Sequence, residues 1–494
     1  MLRVSLFFVL IAGGAFIAAD ITVTTLDPWI ELKNVGYGFL VPDFSQLPRF
    51  GRALLNTVSF ALIGIVLAVI FGSFLSLFFE SRPVRLFCAF IRAIHEIFWA
   101  FLFMPLVGLN STCGILAIAV PYAGVFAKVY AEIRQESDRL PAQTLPPATS
   151  RLSSFLYTAF PQIYHDLKNY TAYRFECALR SSAILGFIGL PTLGYHLETA
   201  FREGMYSEAA ALLYCFYLLI ILLKFWTRPY ILVPLLLTAV LFTSWETTVS
   251  LENIIRFFTY DILPWPMRAD GFYTATQAIT FEPLQILEWM KTVILTEALP
   301  GMWNTLLLTQ IALVGTALFT LVVFPFASRS FFGKRVTAPV HLLLVVLRTT
   351  PEYILAYLFL QLWGPSMLPA IFALFLHNGA ILSFLTAKNV NLLQLPFDAS
   401  RKWFNRYCYE VVPRCYGQLL AFLFYRWEVI MRESAILGIL GIYTLGHYVD
   451  SAISMDHLDT ALLLIVCTAL INMTIDSISW NIRKRVKISS RLNI

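Results

Sequence analysis

The chain has 494 residues, of which 58% are hydrophobic and 13% charged, and its mean hydropathy is +0.72. A soluble domain is about 25% charged, so this chain lacks the polar surface to cover a water-soluble globule. Disorder, a secreted disulfide scaffold and a cytosolic enzyme are excluded; the net charge of +6 is modest, and no nucleic-acid partner is expected.

The first apolar run, near 4–19, follows Met1-Leu2-Arg3 and precedes Ala18-Ala19-Asp20. That layout also fits a signal peptide. A first spanning helix is preferred, because the second half opens with its own apolar span at 230–249. Further runs lie near 54–79, 86–108, 112–131, 170–198 and 208–226. After 230–249 come 303–327, 337–362, 366–387, 418–450 and 458–480. Each can cross a bilayer, which takes about 20 residues. None alternates as barrel strands do. The expected fold is an all-α polytopic membrane protein with twelve spans.

Lys and Arg in the loops set the orientation. With the N-terminus inside, the cytoplasmic segments hold 21 basic residues and the opposite segments seven. Both termini are therefore expected in the cytoplasm. The outer segments 20–53 and 250–302 differ in length, and the second carries Trp265, Phe272 and Tyr273. These aromatics suit an interface anchor, and a lopsided pair of loops also suits an asymmetric binding protein.

The seven cysteines form no CxxC motif, and the seven histidines are scattered with no HExxH. No disulfide framework, metal site or cofactor is expected. No GxxxxGK[ST] loop occurs either; Gly333-Lys334-Arg335 lacks the upstream glycine and the hydroxyl residue. The chain is therefore not expected to hydrolyse ATP. Energy has to come from a partner or an ion gradient.

The chain repeats itself. Residues 173–186 read YRFECALRSSAILG and residues 425–438 read YRWEVIMRESAILG, an offset of 252. Arg174, Glu176, Arg180, Gly186, Gly189 and Gly194 map onto Arg426, Glu428, Arg432, Gly438, Gly441 and Gly446. Pro161 maps onto Pro413, and Arg92 and Glu96 answer Arg348 and Glu352. Two six-span units, 1–228 and 229–494, are expected in parallel orientation. Such repeats enclose a transport pathway.

Two inner segments each predict a short amphipathic helix ending at a proline. Leu152, Phe155, Leu156, Ala159 and Phe160 share one helical face before Pro161. Phe404, Tyr407, Cys408, Val411 and Val412 do the same before Pro413. They either lie on membrane lipid or dock a soluble partner; a matched pair implies a two-fold one.

Arg92/Glu96, Glu176/Arg180, Arg348/Glu352 and Glu428/Arg432 are spaced i, i+4, which places each pair on one helix face. A mid-membrane Arg costs about 2.5–3.5 kcal/mol and persists facing a partner or a cavity. The pairs either brace the bundle or leave Arg174, Arg180, Arg426 and Arg432 to line an oxyanion pathway, since the guanidinium fork suits phosphoryl oxygens. Gly189, Gly194, Gly441 and Gly446 follow the arginines. They either allow close helix packing or break the helix to form a gate, and Pro191 favours a break in the first half.

The motif YR[FW]ExxxRxSAILGxxGxxxLG, the upstream RAIHEIFWA and the short helix before each fifth span resemble the phosphonate-type ABC importer permease family. The resemblance covers most of both halves. It implies a type I importer transmembrane fold in a bacterial inner membrane, here with two permease units fused. It also implies a homodimeric ATPase docked at the two coupling helices and a periplasmic substrate-binding protein delivering a phosphonate or related oxyanion. Two motifs depart from the family. Where its coupling loop has Glu and Gly, this chain has Ala142 and Ala148, then Gln394 and Ser400. Its glycine-rich turn is here Gly189-Leu-Pro-Thr-Leu-Gly194 and Gly441-Ile-Tyr-Thr-Leu-Gly446. The rival readings are an importer permease for an amino acid or iron, a gradient-driven transporter, and a membrane scaffold.

Overall fold

The computed structural model describes residues 1–485 except 26, 139, 147–148, 246–249, 269–280 and 394–401. Every regular element among the described residues is helical. The first is α1 (Leu2–Ala18). Then come α2 (Leu47–Leu77), α3 (Arg82–Ala93), α4 (Glu96–Val107), α5 (Ser111–Glu136), α6 (Phe160–Ile184), α7 (Leu193–Arg202) and α8 (Tyr206–Ile221). The second series opens with α9 (Pro229–Phe242), α10 (Leu299–Ala327), α11 (Lys334–Thr349) and α12 (Glu352–Trp363). It ends with α13 (Met367–Leu392), α14 (Val412–Leu437), α15 (Leu445–Ser454) and α16 (Leu458–Arg485). Each of α1 to α8 thus has its counterpart eight helices later.

Among the described residues, five helices are long and apolar enough to cross a bilayer, and four bent pairs pass the same test jointly. Three shorter apolar helices, α1, α8 and the body of α9, stand at the remaining expected spans. The fold is that of a polytopic helical membrane protein.

The chain forms two compact units, one of residues 35–257 and one of 1–34 with 258–494. These differ from the sequence halves 1–228 and 229–494, because the leading helix of each half packs in the other half's unit. In one unit α9 lies against α2; in the other α1 lies against α10. The reason is where the apolar complement is. Phe8 of α1 meets Phe424 and Trp427 edge-on at 5.3 and 5.2 Å, and the Gln310 amide donates to the Phe8 carbonyl at 3.3 Å. Ala239 of α9 is buried in the core built on Phe60 and Ile118.

The four bent pairs are α3/α4 and α11/α12, turned by 93° and 95°, and α6/α7 and α14/α15, turned by 53° and 45°. The first two bends fall between Arg92 and Glu96 and between Arg348 and Glu352. These two pairs therefore do not share a helix face, contrary to their spacing. Glu176/Arg180 and Glu428/Arg432 lie within unbroken α6 and α14 and keep theirs.

Pro161 and Pro413 do not end their helices. Each sits in the first turn of a long helix, directly after a π turn, Phe155–Ala159 or Arg406–Val411. Proline lacks an N–H and crowds the carbonyl one turn back. The wide turn, with Phe160 N–H on the Phe155 carbonyl and Val412 N–H on that of Tyr407, lets the helix pass the proline without breaking.

The α6/α7 and α14/α15 bends follow from glycines and from α2 and α10. Gly189 and Gly441 have φ of +92° and +81°, which turns the chain out of the helix. Gly194 and Gly446 then bring the returning backbone so close that an added Cβ would lie 1.8 Å from the carbonyl oxygen of Ala183 or Ala435. A helix starting inside an apolar bundle exposes free N–H groups. Thr57 Oγ1 accepts from Leu193 N–H at 2.8 Å, and Thr305 Oγ1 from Leu445 N–H at 3.0 Å. Asn56 and Asn304 donate to the carbonyls of Pro191 and Tyr443, each at 2.8 Å. Both halves break, although only the first has a proline in the turn.

Thr57→Val and Thr305→Val keep the side-chain shape and remove the acceptor. Each is expected to lower stability by about 1–3 kcal/mol, the cost of an unpaired buried N–H. The readout is the melting temperature of the purified protein in detergent. Unchanged melting in both variants would show that the threonines do not hold the breaks.

Candidate functional site

Each half gathers its polar side chains where the α3/α4 or α11/α12 bend meets the arginine helix. In the first half His95 caps α4, its Nδ1 accepting from Ile97 N–H at 3.3 Å. That leaves the proton on Nε2, which faces Glu96 Oε2 at 3.3 Å. Ser181 of α6 donates to Glu96 Oε1 at 3.5 Å, and the Tyr122 hydroxyl of α5 lies 3.3 Å from Ser181 Oγ. Glu96 is buried but surrounded by donors.

The second half keeps the backbone and changes the side chains. Glu352 answers Glu96, Glu433 answers Ser181, and Asn378 answers Tyr122. Histidine and proline have traded positions: His95 aligns with Pro351, and His377 with Pro121. His377 nevertheless reaches the equivalent carboxylate, with Nε2 3.8 Å from Glu352 Oε2. Asn378 Nδ2 donates to Glu433 Oε2 at 2.9 Å, and Arg426 donates to Asn378 Oδ1 at 3.4 Å.

The four arginines of the repeat are half-buried, as are Glu176, Glu428, Arg92 and Arg348. Arg174 donates to the Tyr170 hydroxyl at 2.7 Å and lies over the Tyr170 and Tyr173 rings. Arg180 reaches Cys177 Sγ at 3.4 Å, and Arg348 lies 4.5 Å over the Phe384 ring. Arg426 joins the carboxylate cluster through Asn378, and Arg174 is held in part by tyrosines of its own helix. Such half-desolvated guanidinium groups can bind an oxyanion through paired N–H donors.

The helices before Pro161 and Pro413 split their apolar residues. Leu156 and Phe404 are exposed and Phe155 is half-buried. Tyr407 turns inward, its hydroxyl on the Leu321 carbonyl at 2.9 Å and its ring stacked 5.6 Å from Phe324. The side chain of Leu152 lies outside the described ones, as does that of Ala142. Ala148, Gln394, Ser400, Phe272 and Tyr273 lie outside the described residues altogether. Trp265 is pinned through its backbone N–H, which donates to Asp459 Oδ2 at 2.8 Å.

Sequence reasoning missed the Asn-Thr pairs. Asn56-Thr57 recurs as Asn304-Thr305 at an offset of 248, a repeat as regular as the arginine motif. It also missed Tyr157 and Tyr409, matched at 252 and 81% and 77% exposed on the turns before Pro161 and Pro413. His377, Asn378 and Glu433 stand at mismatches between the halves, and a search for agreement passes over mismatches.

No family model matches the chain, and no solved structure does. Curated relatives do. The chain is 25% identical over 476 residues to the "Phosphate-import permease protein PhnE" of Mycolicibacterium smegmatis (strain ATCC 700084 / mc(2)155), covering 90% of this chain and 87% of that one. It is 26% identical over 183 residues to the "Phosphite transport system permease protein PtxC" of Stutzerimonas stutzeri, covering 35% of this chain and 66% of that one. A match of 476 residues includes both sequence halves, whereas 183 fits within one. With its duplicated arginine helix and glycine turn, the chain is thus similar over most of its length to a permease protein named for phosphate import, and over part of it to one named for phosphite transport.

Proposed function

We propose that the chain is the membrane permease subunit of an ATP-driven importer for a phosphorus oxyanion, with units 1–228 and 229–494 as the fused covalent repeats of a type I importer. One observation carries this reading. A helix bearing two half-buried arginines, turned at a glycine of positive φ, occurs twice in one chain. The named substrates of the relatives, phosphate and phosphite, are tetrahedral oxyanions of the kind a guanidinium fork binds. The chain is a transport subunit and not an enzyme. ATP hydrolysis belongs to a separate, homodimeric ATPase, and a periplasmic binding protein delivers the solute. The location is a bacterial inner membrane with both termini in the cytoplasm. Uptake that persists without any ATPase would favour a gradient-driven transporter.

The loop charge bias puts Gly333 inside and Glu203 outside, and both positions are exposed. In a cysteine-free background, Glu203→Cys should react with an impermeant thiol reagent on intact cells and Gly333→Cys should not. The reverse pattern would invert the topology.

ATPase docking falls to the exposed side of the two inner helices, where Tyr157 and Tyr409 are matched. Replacing both with Asp should release the ATPase or lower ATP-driven uptake at least tenfold, a loss of about 1.4 kcal/mol of coupling. Neither is packed in the core, so the chain itself should melt normally. A fully coupled complex would mean that this face rests on lipid.

Arg432→Gln should abolish uptake while the complex still assembles and hydrolyses ATP. A purely bracing arginine would instead fail by misfolding, since stranding a buried partner costs about 3–5 kcal/mol. Normal transport by both Arg180→Gln and Arg432→Gln, or failed assembly of both, would remove the arginines from the pathway. Glu428→Gln serves as the control for the helix-face partner.

A further inference from the structure

Helix α1 leaves part of the surface it packs on open. A groove of about 720 Å³ runs between α1, α10, α14 and α16. Its lining reaches from Arg3 to Ala18 of α1, a rise of about 22 Å at 1.5 Å per residue. One leaflet's share of the hydrocarbon core is about 15 Å, so a whole acyl chain fits along it. The walls are apolar or aromatic apart from Arg3 and Gln310, and the Gln310 amide is turned to the Phe8 carbonyl.

Small residues make the hollow. Along α1 the lining positions Phe7, Ile11, Gly14 and Ala18 alternate four and three apart, which is one helix face. Bulk on that face stops at Ile11. A Cβ added to Gly14 would meet nothing within 4 Å, whereas a helix face packed on protein leaves few such gaps. Phe7 on one side and Trp303 on the other are each 59% exposed.

One mouth of the groove is basic. The start of α1 lies beside the first half of α14, where the Tyr416 hydroxyl donates to Ser5 Oγ. The end of α16 arrives at the same place, with Ser479 Oγ donating to the Phe424 carbonyl at 2.6 Å. Ile478 and Ile482 of α16 line the groove, and Arg485 follows them on the same face at four and three residues. Arg3 and Arg485 are both exposed. After Asp476 the chain carries five basic side chains and no acidic one, and α1 has no acidic residue. An apolar slot that opens between cations matches a lipid with an apolar tail and an anionic head group. We infer that the groove binds one acyl chain of an anionic phospholipid, with its phosphodiester at Arg3 and Arg485, where guanidinium N–H groups serve the phosphate oxygens. The lipid then supplies the packing that α1 lacks on this face. The inference does not depend on which solute is carried.

The test uses the full-length chain purified in detergent, washed free of lipid, equilibrated with mixed micelles of phosphatidylglycerol and phosphatidylcholine in equal amounts, and purified again. Retained lipid is counted by mass spectrometry. Wild type is expected to keep phosphatidylglycerol in preference to phosphatidylcholine, and phosphatidylglycerol should raise its melting temperature. Gly14→Phe fills the hollow where no atom of the fold stands in the way. It should melt like wild type without lipid and lose the preference. Arg3→Gln should hold phosphatidylglycerol about fivefold more weakly, the equivalent of about 1 kcal/mol for one basic side chain at an anionic head group. Its phosphatidylcholine content should not change. Arg3 is exposed, so this variant tests the site even where the filled one folds poorly. Equal retention of the two lipids by wild type, or an undiminished preference in either variant that folds, would overturn the site.

Discussion

A helix that begins inside an apolar bundle needs acceptors for its first N–H groups, and much of this molecule is arranged around that need. The hydroxyls of Thr57 and Thr305 meet it for α7 and α15. In hydrocarbon no water substitutes for a missing partner, so a break is possible only where the neighbouring helix brings a polar group to the right depth. The glycines define the turn, but α2 and α10 decide that it is tolerated. The arginine helices can therefore change direction beyond their charged residues while α2 and α10 run on unbroken beside them.

The two halves share this frame and diverge in what they place on it. Around Glu96 the partners include an imidazole nitrogen and the Ser181 hydroxyl, with the Tyr122 hydroxyl beside it. Around Glu352 the hydroxyl position has become a second carboxylate, Glu433, and the histidine arrives from another helix. A fused chain allows such divergence, because each half mutates independently of the other. A pair of identical subunits would carry the same change in both.

The sequence made the apolar spans, the loop charge bias and the duplicated arginine motif legible, since each is periodic or repeats at a constant offset. The bends were harder to read. Pro191 indicated one, yet α14/α15 breaks without it, through Gly441 and the Thr305 clamp. The i, i+4 spacing of Arg92 with Glu96 misled, because Ile94 and His95 are extended and the helix axis turns there. Pro161 and Pro413 misled in the opposite sense, since a π turn absorbs each of them. The carboxylate–imidazole cluster was invisible because its members meet only after three helices pack.

The placement of α1 has a consequence for how the protein is made. Its packing partner, α10, lies about 280 residues further along, so at ~5–20 residues per second the ribosome needs roughly 15–60 s to supply it. The unit of residues 35–257 is continuous in sequence and its own helices are complete before that. Helix α1 thus leaves the ribosome well ahead of the helix it packs on, and it must wait in the bilayer with Phe8 facing lipid. From Leu6 to Ala18 it carries no charged or hydroxyl side chain, which suits a segment that has to be stable alone before it is stable in company.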